Sequence, residues 1–182
     1  MAHTRRIPKP LDPARLEELA LAYVARFSTS RAKLETYLAR KLRERGWDFA
    51  SPPRVAELAE RFVEAGYVDD LAYARSKTGS LMRRGYGMRR VGQALGAAGI
   101  EPEVREQVAP EEAQRRAAAL VMARKRRLGP FADAPADRAL RQKQIAAMLR
   151  AGHAMDHIMA LLGSAGIEDA EQWAQAEGDC EG

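Results

Sequence analysis

Residues 66–100 read GYVDDLAYARSKTGSLMRRGYGMRRVGQALGAAGI, and the way this stretch is punctuated decides the fold. Asp69 stands where a helix N-cap belongs. Asp70 falls in the first turn, where a negative charge suits the helix dipole. Leu71, Ala74, Thr78, Leu81 and Met82 recur at the spacing of one helical face, which predicts a helix over 71–84. Gly85-Tyr86-Gly87 breaks it. Met88, Val91, Leu95 and Ala98 mark a second helix, stopped by Gly99. The charge is one-signed: after Asp70 no acid appears until Glu101, while Arg75, Lys77, Arg83, Arg84, Arg89 and Arg90 lie between. Such a surface suits an anionic partner.

The same punctuation runs outward in both directions. Residues 1–11 are basic and Pro-rich and are expected to form a flexible N-terminus. Asp12-Pro13 reads as an N-cap followed by Pro at the first helical position. Leu16, Leu19, Ala20, Tyr23, Val24 and Phe27 follow as the inward face of that helix. Ser28-Thr29-Ser30 ends it and caps the next, which carries Leu34, Tyr37, Leu38 and Leu42 and stops at Gly46. Val55, Leu58, Ala59, Phe62 and Val63 mark a third helix, stopped by Gly66. Downstream, a short helix spans 102–108. A longer one begins near Pro110, with Ala113, Ala117, Leu120, Val121 and Leu128 expected inward and Arg124, Lys125, Arg126 and Arg127 crowding its end. Ile145, Met148 and Leu149 mark the next helix, and Met155, Ile158, Leu161 and Leu162 the last. From Glu168 onward the chain has no Lys or Arg and reads as a loose acidic tail, which Trp173 can pin.

A repeat underlies this order. Gly46, Gly99 and Gly152 each follow a basic amphipathic helix at a spacing of 53 residues. Four residues before them stand Leu42, Leu95 and Met148; nine residues after stand Val55, Val108 and Leu161. A unit this small does not bury enough surface to stand alone and stacks on its neighbours. The expected fold is all-α: three tandem three-helix repeats over 12–66, 67–109 and 110–167, in an elongated, curved arrangement, with an acidic tail over 168–182.

Composition narrows the function. Hydrophobic residues make up 46% of the 182 positions, enough for a core, but aromatics only 6%, which with abundant Ala, Leu, Arg and Glu favours helix over strand. The formal charge of +5 points to nucleic acid, an acidic protein or a membrane surface. A lone cysteine, Cys180, forms no internal disulfide, no apolar run approaches the roughly 20 residues that cross a bilayer, and no signal-peptide core opens the chain. A cytoplasmic location is expected.

Catalysis finds little footing. There is no Gly-Lys-Ser/Thr phosphate loop and no Gly-x-Ser-x-Gly elbow, and the glycines of Arg84-Gly85-Tyr86-Gly87 do not follow a strand. His153 and His157, four apart with Asp156 between, lack a third ligand and are expected to be a surface pair rather than a metal site. Asp69-Asp70 fits capping better than acid–base work. A helix-turn-helix reading of 87–98 offers Arg89, Arg90 and Gln93 to base edges, but the helix is otherwise bare of reading side chains. No cofactor and no metal are expected. The basic residues remain: Arg75, Lys77, Arg83, Arg84, Arg89 and Arg90, with Arg124, Lys125, Arg126 and Arg127 as a second cluster. Arginine pairs bidentately with carboxylates or phosphates, so either an acidic protein or a nucleic acid backbone fits.

Gly66-Tyr67-Val68-Asp69-Asp70-Leu71-Ala72-Tyr73-Ala74 resembles the G-hydrophobic-D-D-x-x-aromatic-A signature of the RecX family, regulators of the bacterial RecA recombinase. Arg84-Gly85-Tyr86-Gly87 through Arg90-Val91, Leu95 and Gly99-Ile100 resembles a second segment of that family. The chain departs at Ala94 and Ala98, where the family often has Glu and Lys, and at His153, where an aromatic is usual. The resemblance spans roughly 14–165 and implies tandem three-helix repeats, with Gly66, Asp69, Asp70, Ala74, Gly85 and Gly99 in architectural roles. It also implies a non-enzymatic protein, expected as a monomer, that binds in the groove of the RecA–DNA filament and inhibits its ATPase and strand exchange in DNA repair, recombination and the SOS response. The alternative is a direct DNA-binding module, weak and non-specific towards single or double strands, whose affinity falls steeply with salt.

Overall fold

The computed structural model describes residues 9–176. Among them every regular element is a helix, as expected: α1 (Pro13–Val24), α2 (Arg31–Arg45), α3 (Val55–Glu64), α4 (Asp70–Arg83), α5 (Met88–Gly96), α6 (Pro102–Gln107), α7 (Glu112–Arg126), a 3-10 turn (Gly129–Phe131), α8 (Arg138–Ala151), α9 (Met155–Gly163) and α10 (Ile167–Gln175). The expectations for His3, Cys180 and the rest of the two chain ends lie outside the described residues. The chain divides into two compact units, one holding residues up to 73 and 98–100, the other 74–97 and 101 onward.

In the first unit the caps sit where the sequence puts them. The Arg15 N–H donates to Asp12 Oδ1 (2.8 Å) and the Lys33 N–H to Ser30 Oγ (3.3 Å). The Ser30 hydroxyl in turn donates to the Ala98 carbonyl. Leu34 and Leu38, one turn apart on α2, are fully buried with Leu16, Leu58 and Phe62; each such side chain contributes roughly 1.5–3 kcal/mol. Two expectations fail here. Leu11, placed in the flexible N-terminus, is fully buried. Its N–H donates to the Gly46 carbonyl (3.0 Å) and its own carbonyl accepts from the Asp48 N–H (2.8 Å), so both backbone groups are paired. Phe27, expected inward, is 52% exposed; it lies beyond the end of α1 at Val24, its N–H donates to the Tyr23 carbonyl (3.0 Å), and its ring keeps a tilted contact with Tyr23 at 5.3 Å.

In the second unit α7, α8, α9 and α10 enclose a core of Met122, Met148, Ile158, Leu161 and Leu162 with buried alanines. α7 turns a different face inward than expected. Ala118, Ala119, Met122 and Ala123 are buried, whereas Ala117 is exposed and Val121 is 40% exposed. The run Ala117-Ala118-Ala119 carries no contrast in size or polarity, so periodicity does not fix its rotation. Met155, also expected inward, is exposed. The supposed loose tail is helical as far as Gln175: α10 buries Ala170 and Ala174, and its Trp173 ring lies edge-on to His157 (5.8 Å) and under the Arg116 guanidinium (5.7 Å). The three glycines of the 53-residue spacing share a positive φ, +81° at Gly46, +69° at Gly99 and +96° at Gly152, although their ψ differs, 174° at Gly46 against 15° at Gly152. A positive φ is costly for any residue with a Cβ.

Candidate interaction surface

All ten basic residues singled out in the sequence belong to the second unit, and all are exposed except Lys77, which is half-buried. The structure does not gather them into one patch. Helical spacing puts Arg75, Gly79, Met82 and Arg83 along one side of α4 and Lys77 and Leu81 along another. The first side faces a groove of about 510 Å³ whose opposite wall is Val108, Pro110 and the α7 residues Gln114, Ala117 and Val121. The second faces a groove of about 460 Å³ completed by Arg84, Tyr86, Arg90, Gln93, Ala94 and Ala97. Arg83 and Arg84, adjacent in sequence, therefore line different grooves.

The second groove combines three cations with an aromatic ring. The Arg84 guanidinium sits 5.2 Å from the centroid of Tyr86, and Lys77, Arg90 and the Gln93 amide lie around it. No acid lines it. The sequence marks Tyr86 only as part of a helix break; an aromatic between two glycines in an Arg-rich turn is the signal for a larger part. Arg89 is engaged elsewhere. Its guanidinium donates to the Leu149 carbonyl and its backbone N–H to the Gly152 carbonyl (3.1 Å), so it caps the C-terminus of α8, where a cation opposes the helix dipole.

The α7 cluster is partly neutralised. Arg124 pairs with Glu171 of α10 and lies 5.4 Å from the Phe131 centroid. Arg127, the one non-glycine residue with positive φ among those described (+52°), pairs with Asp133 at 3.0 Å. Exposed pairs of this kind contribute about 0–1 kcal/mol, so they reduce the local charge more than they hold the fold. Lys125 and Arg126 have no hydrogen-bond or ion-pair partner among the described residues.

The signature residues occupy turns and helix starts. Gly66 and Gly85 have φ of +73° and +83°. Asp69 Oδ1 accepts from the Ala72 N–H (2.8 Å), capping α4, and Ala74 is fully buried. Asp70 does more than sit in a first turn. Its Oδ1 accepts from the Arg31 N–H (2.8 Å), so it satisfies the N-terminus of α2, 39 residues away.

The histidines are not a surface pair: His153 is 5% and His157 8% exposed. His153 Nε2–H donates to the Gly85 carbonyl at 3.0 Å. Burial pushes this imidazole below its ordinary value, and the carbonyl only partly opposes the shift. His157 Nε2 lies 2.7 Å from Glu112 Oε1. Burial alone would raise the Glu112 carboxyl, but the hydrogen bonds from His157 and Arg116 together outweigh it and hold the group below its usual value. Neither partner was visible in sequence, because Gly85 and Glu112 stand 68 and 45 residues from their histidines. Among the described residues no group of three or more His, Cys, Asp or Glu is placed to hold a metal ion, and no helix is long and apolar enough to cross a membrane.

Residues 69–108, which carry both α4 grooves' arginines, match the family model for the second three-helix domain of RecX. The chain is 34% identical over 155 residues to the regulatory protein RecX of Myxococcus xanthus, covering 80% of this chain and 82% of the relative. It is 37% identical over 98 residues to regulatory protein RecX of Mycobacterium sp. strain KMS, covering 53% of this chain and 52% of that one. Its fold resembles the crystal structure of RecX from Lactobacillus salivarius, with a TM-score of 0.64 at 19% identity over 80% of this chain and 90% of that one.

Proposed function

The chain belongs to the RecX family of regulatory proteins, and from that premise we propose that it binds in the groove of the RecA–DNA filament and inhibits ATP hydrolysis and strand exchange. It does so as a cytoplasmic monomer with no catalytic centre of its own, within DNA repair, recombination and the SOS response. The repeats over 12–66, 67–109 and 110–167 are the three modules it lays along the filament. Several weak contacts on one chain add up to avidity.

The observation that carries this reading is the groove of Lys77, Arg84 and Arg90 around Tyr86, free of acids and open to solvent. Cations there meet phosphates or carboxylates of the filament. Arg89, Arg124 and Arg127, tied to Leu149, Glu171 and Asp133, are secondary contributors. The same groove favours one other reading. A ring flanked by Arg and Lys is what a single-stranded backbone and its bases take up, so direct non-specific DNA binding is the alternative.

Co-sedimentation separates the two. This protein is spun with RecA filaments on single-stranded DNA and, at the same salt, with the DNA alone. Recovery with filaments and not with bare DNA supports filament regulation. Equal recovery with bare DNA replaces it with the DNA-binding reading.

A further inference from the structure

The groove between α4 and α7 has a chemistry that its neighbour lacks. Arg75 and Arg83 stand at its two ends, eight residues and so roughly 12 Å apart along α4. Among the described residues neither has an ion-pair or hydrogen-bond partner, and no acid lines the groove. Between them Gly79 carries no side chain, and the Arg83 guanidinium folds back over it: a Cβ there would stand 3.1 Å from Arg83 Nη1. Met82, Val108, Pro110 and Val121 give the groove an apolar lining, and Val121, off the buried face of α7, is 40% exposed. Thr78 also lines the groove, but it is 6% exposed, and its Oγ1, the one buried side-chain nitrogen or oxygen among the described residues with no hydrogen-bond partner, is closed off from the groove's solvent.

We propose that this groove docks an acidic amphipathic segment of a protein, whose carboxylates meet Arg75 and Arg83 and whose apolar side chains lie on Val121, Pro110 and Met82. Gln107 and Gln114 on the far side offer amides to its backbone. A nucleic acid fits less well: the groove has no aromatic ring for a base, its cations stand on one wall, and Met82, Val108, Pro110 and Val121 line it, whereas the adjacent groove has Tyr86 among its cations. The inference deepens the filament reading, on which it rests for the protein that carries the segment.

The test is fluorescence polarisation of the full chain with a fluorescein-labelled amphipathic peptide bearing Glu on one face and Leu on the other. The wild-type chain binds it. Arg75→Glu with Arg83→Glu weakens binding at least about tenfold, and a peptide with Gln for Glu loses a similar factor. Gly79→Leu, which keeps both arginines in the sequence but puts a side chain where the Arg83 guanidinium lies, also weakens binding. Oligothymidylate does not displace the peptide. Absence of binding by the folded wild type, equal binding of the Gln peptide, or unchanged binding by both variants overturns the proposal. Displacement by oligothymidylate also overturns it and gives the groove to nucleic acid. Failure of the filament reading looks different: the peptide binds, but RecA hydrolysis is untouched.

Discussion

Gly87 and Gly152 meet backbone to backbone, so closely that a Cβ on Gly87 would lie 2.3 Å from the Gly152 carbonyl. The approach lets the Gly87 N–H donate to the Ala151 carbonyl (3.0 Å) and the Arg89 N–H to the Gly152 carbonyl (3.1 Å). The unpaired donors at the start of α5 thereby satisfy the unpaired acceptors at the end of α8. Gly87→Ala should therefore cost about 3 kcal/mol or more, since the obstacle is backbone and cannot rotate away. Gly92, in the interior of α5 with open space beside it, is the control: Gly92→Ala should stabilise by up to about 1 kcal/mol. Urea denaturation of the two variants checks the contrast, and similar midpoints would contradict it.

The two aspartates of the signature cap different helices, Asp69 its own α4 and Asp70 the N-terminus of α2. Replacing either with Ala should cost about 1 kcal/mol, within the 0.5–2 kcal/mol range of such caps. Asn at either position keeps an acceptor oxygen and should recover most of the loss. Thermal melts of the four variants decide this. If Asp70→Ala melts like the wild type, the bond to the Arg31 N–H contributes nothing.

His153 makes stability depend on pH. Unfolded, its imidazole titrates near 6.5; folded, burial holds it lower. Between those values the unfolded chain carries a proton that the folded chain refuses. The stability is thus full above about pH 6.5, falls as the pH drops below it, and levels off beneath the depressed value. Glu112, held below its ordinary 4.5, adds a loss only at more acid pH. His153→Gln keeps a donor for the Gly85 carbonyl without the titration, so its melting temperature should be flatter than the wild type's as the pH falls below about 6.5. Parallel profiles would show that His153 does not set the slope.

Much of the fold was legible because it depends on local chemistry. Asp12, Ser30 and Asp69 announce helix starts, and Gly46 and Gly152 announce ends that need a positive φ. What was lost depends on distant partners or missing contrast. The Ala117-Ala118-Ala119 run hid the inward face of α7, and the buried states of His153 and His157 rest on Gly85 and Glu112. α10 was hidden because its acidic surface looked like tail, while its packing relies on Ala170, Ala174 and Trp173. The basic residues of the surface were visible, but not their division, because the sequence shows Arg83 and Arg84 as neighbours and only the helix turns them into separate grooves.

The most direct test of the central claim is single-stranded-DNA-dependent ATP hydrolysis by RecA, titrated with this protein and with its Lys77→Glu, Arg84→Glu, Arg90→Glu variant. Hydrolysis should fall at amounts well below one molecule per RecA protomer with the wild type. It should stay near its starting rate with the variant, whose helical circular dichroism should be unchanged because Arg84 and Arg90 are exposed and Lys77 is only half-buried. Undiminished hydrolysis at saturating wild-type protein would contradict filament regulation, and equal inhibition by the folded variant would contradict the assignment of that groove.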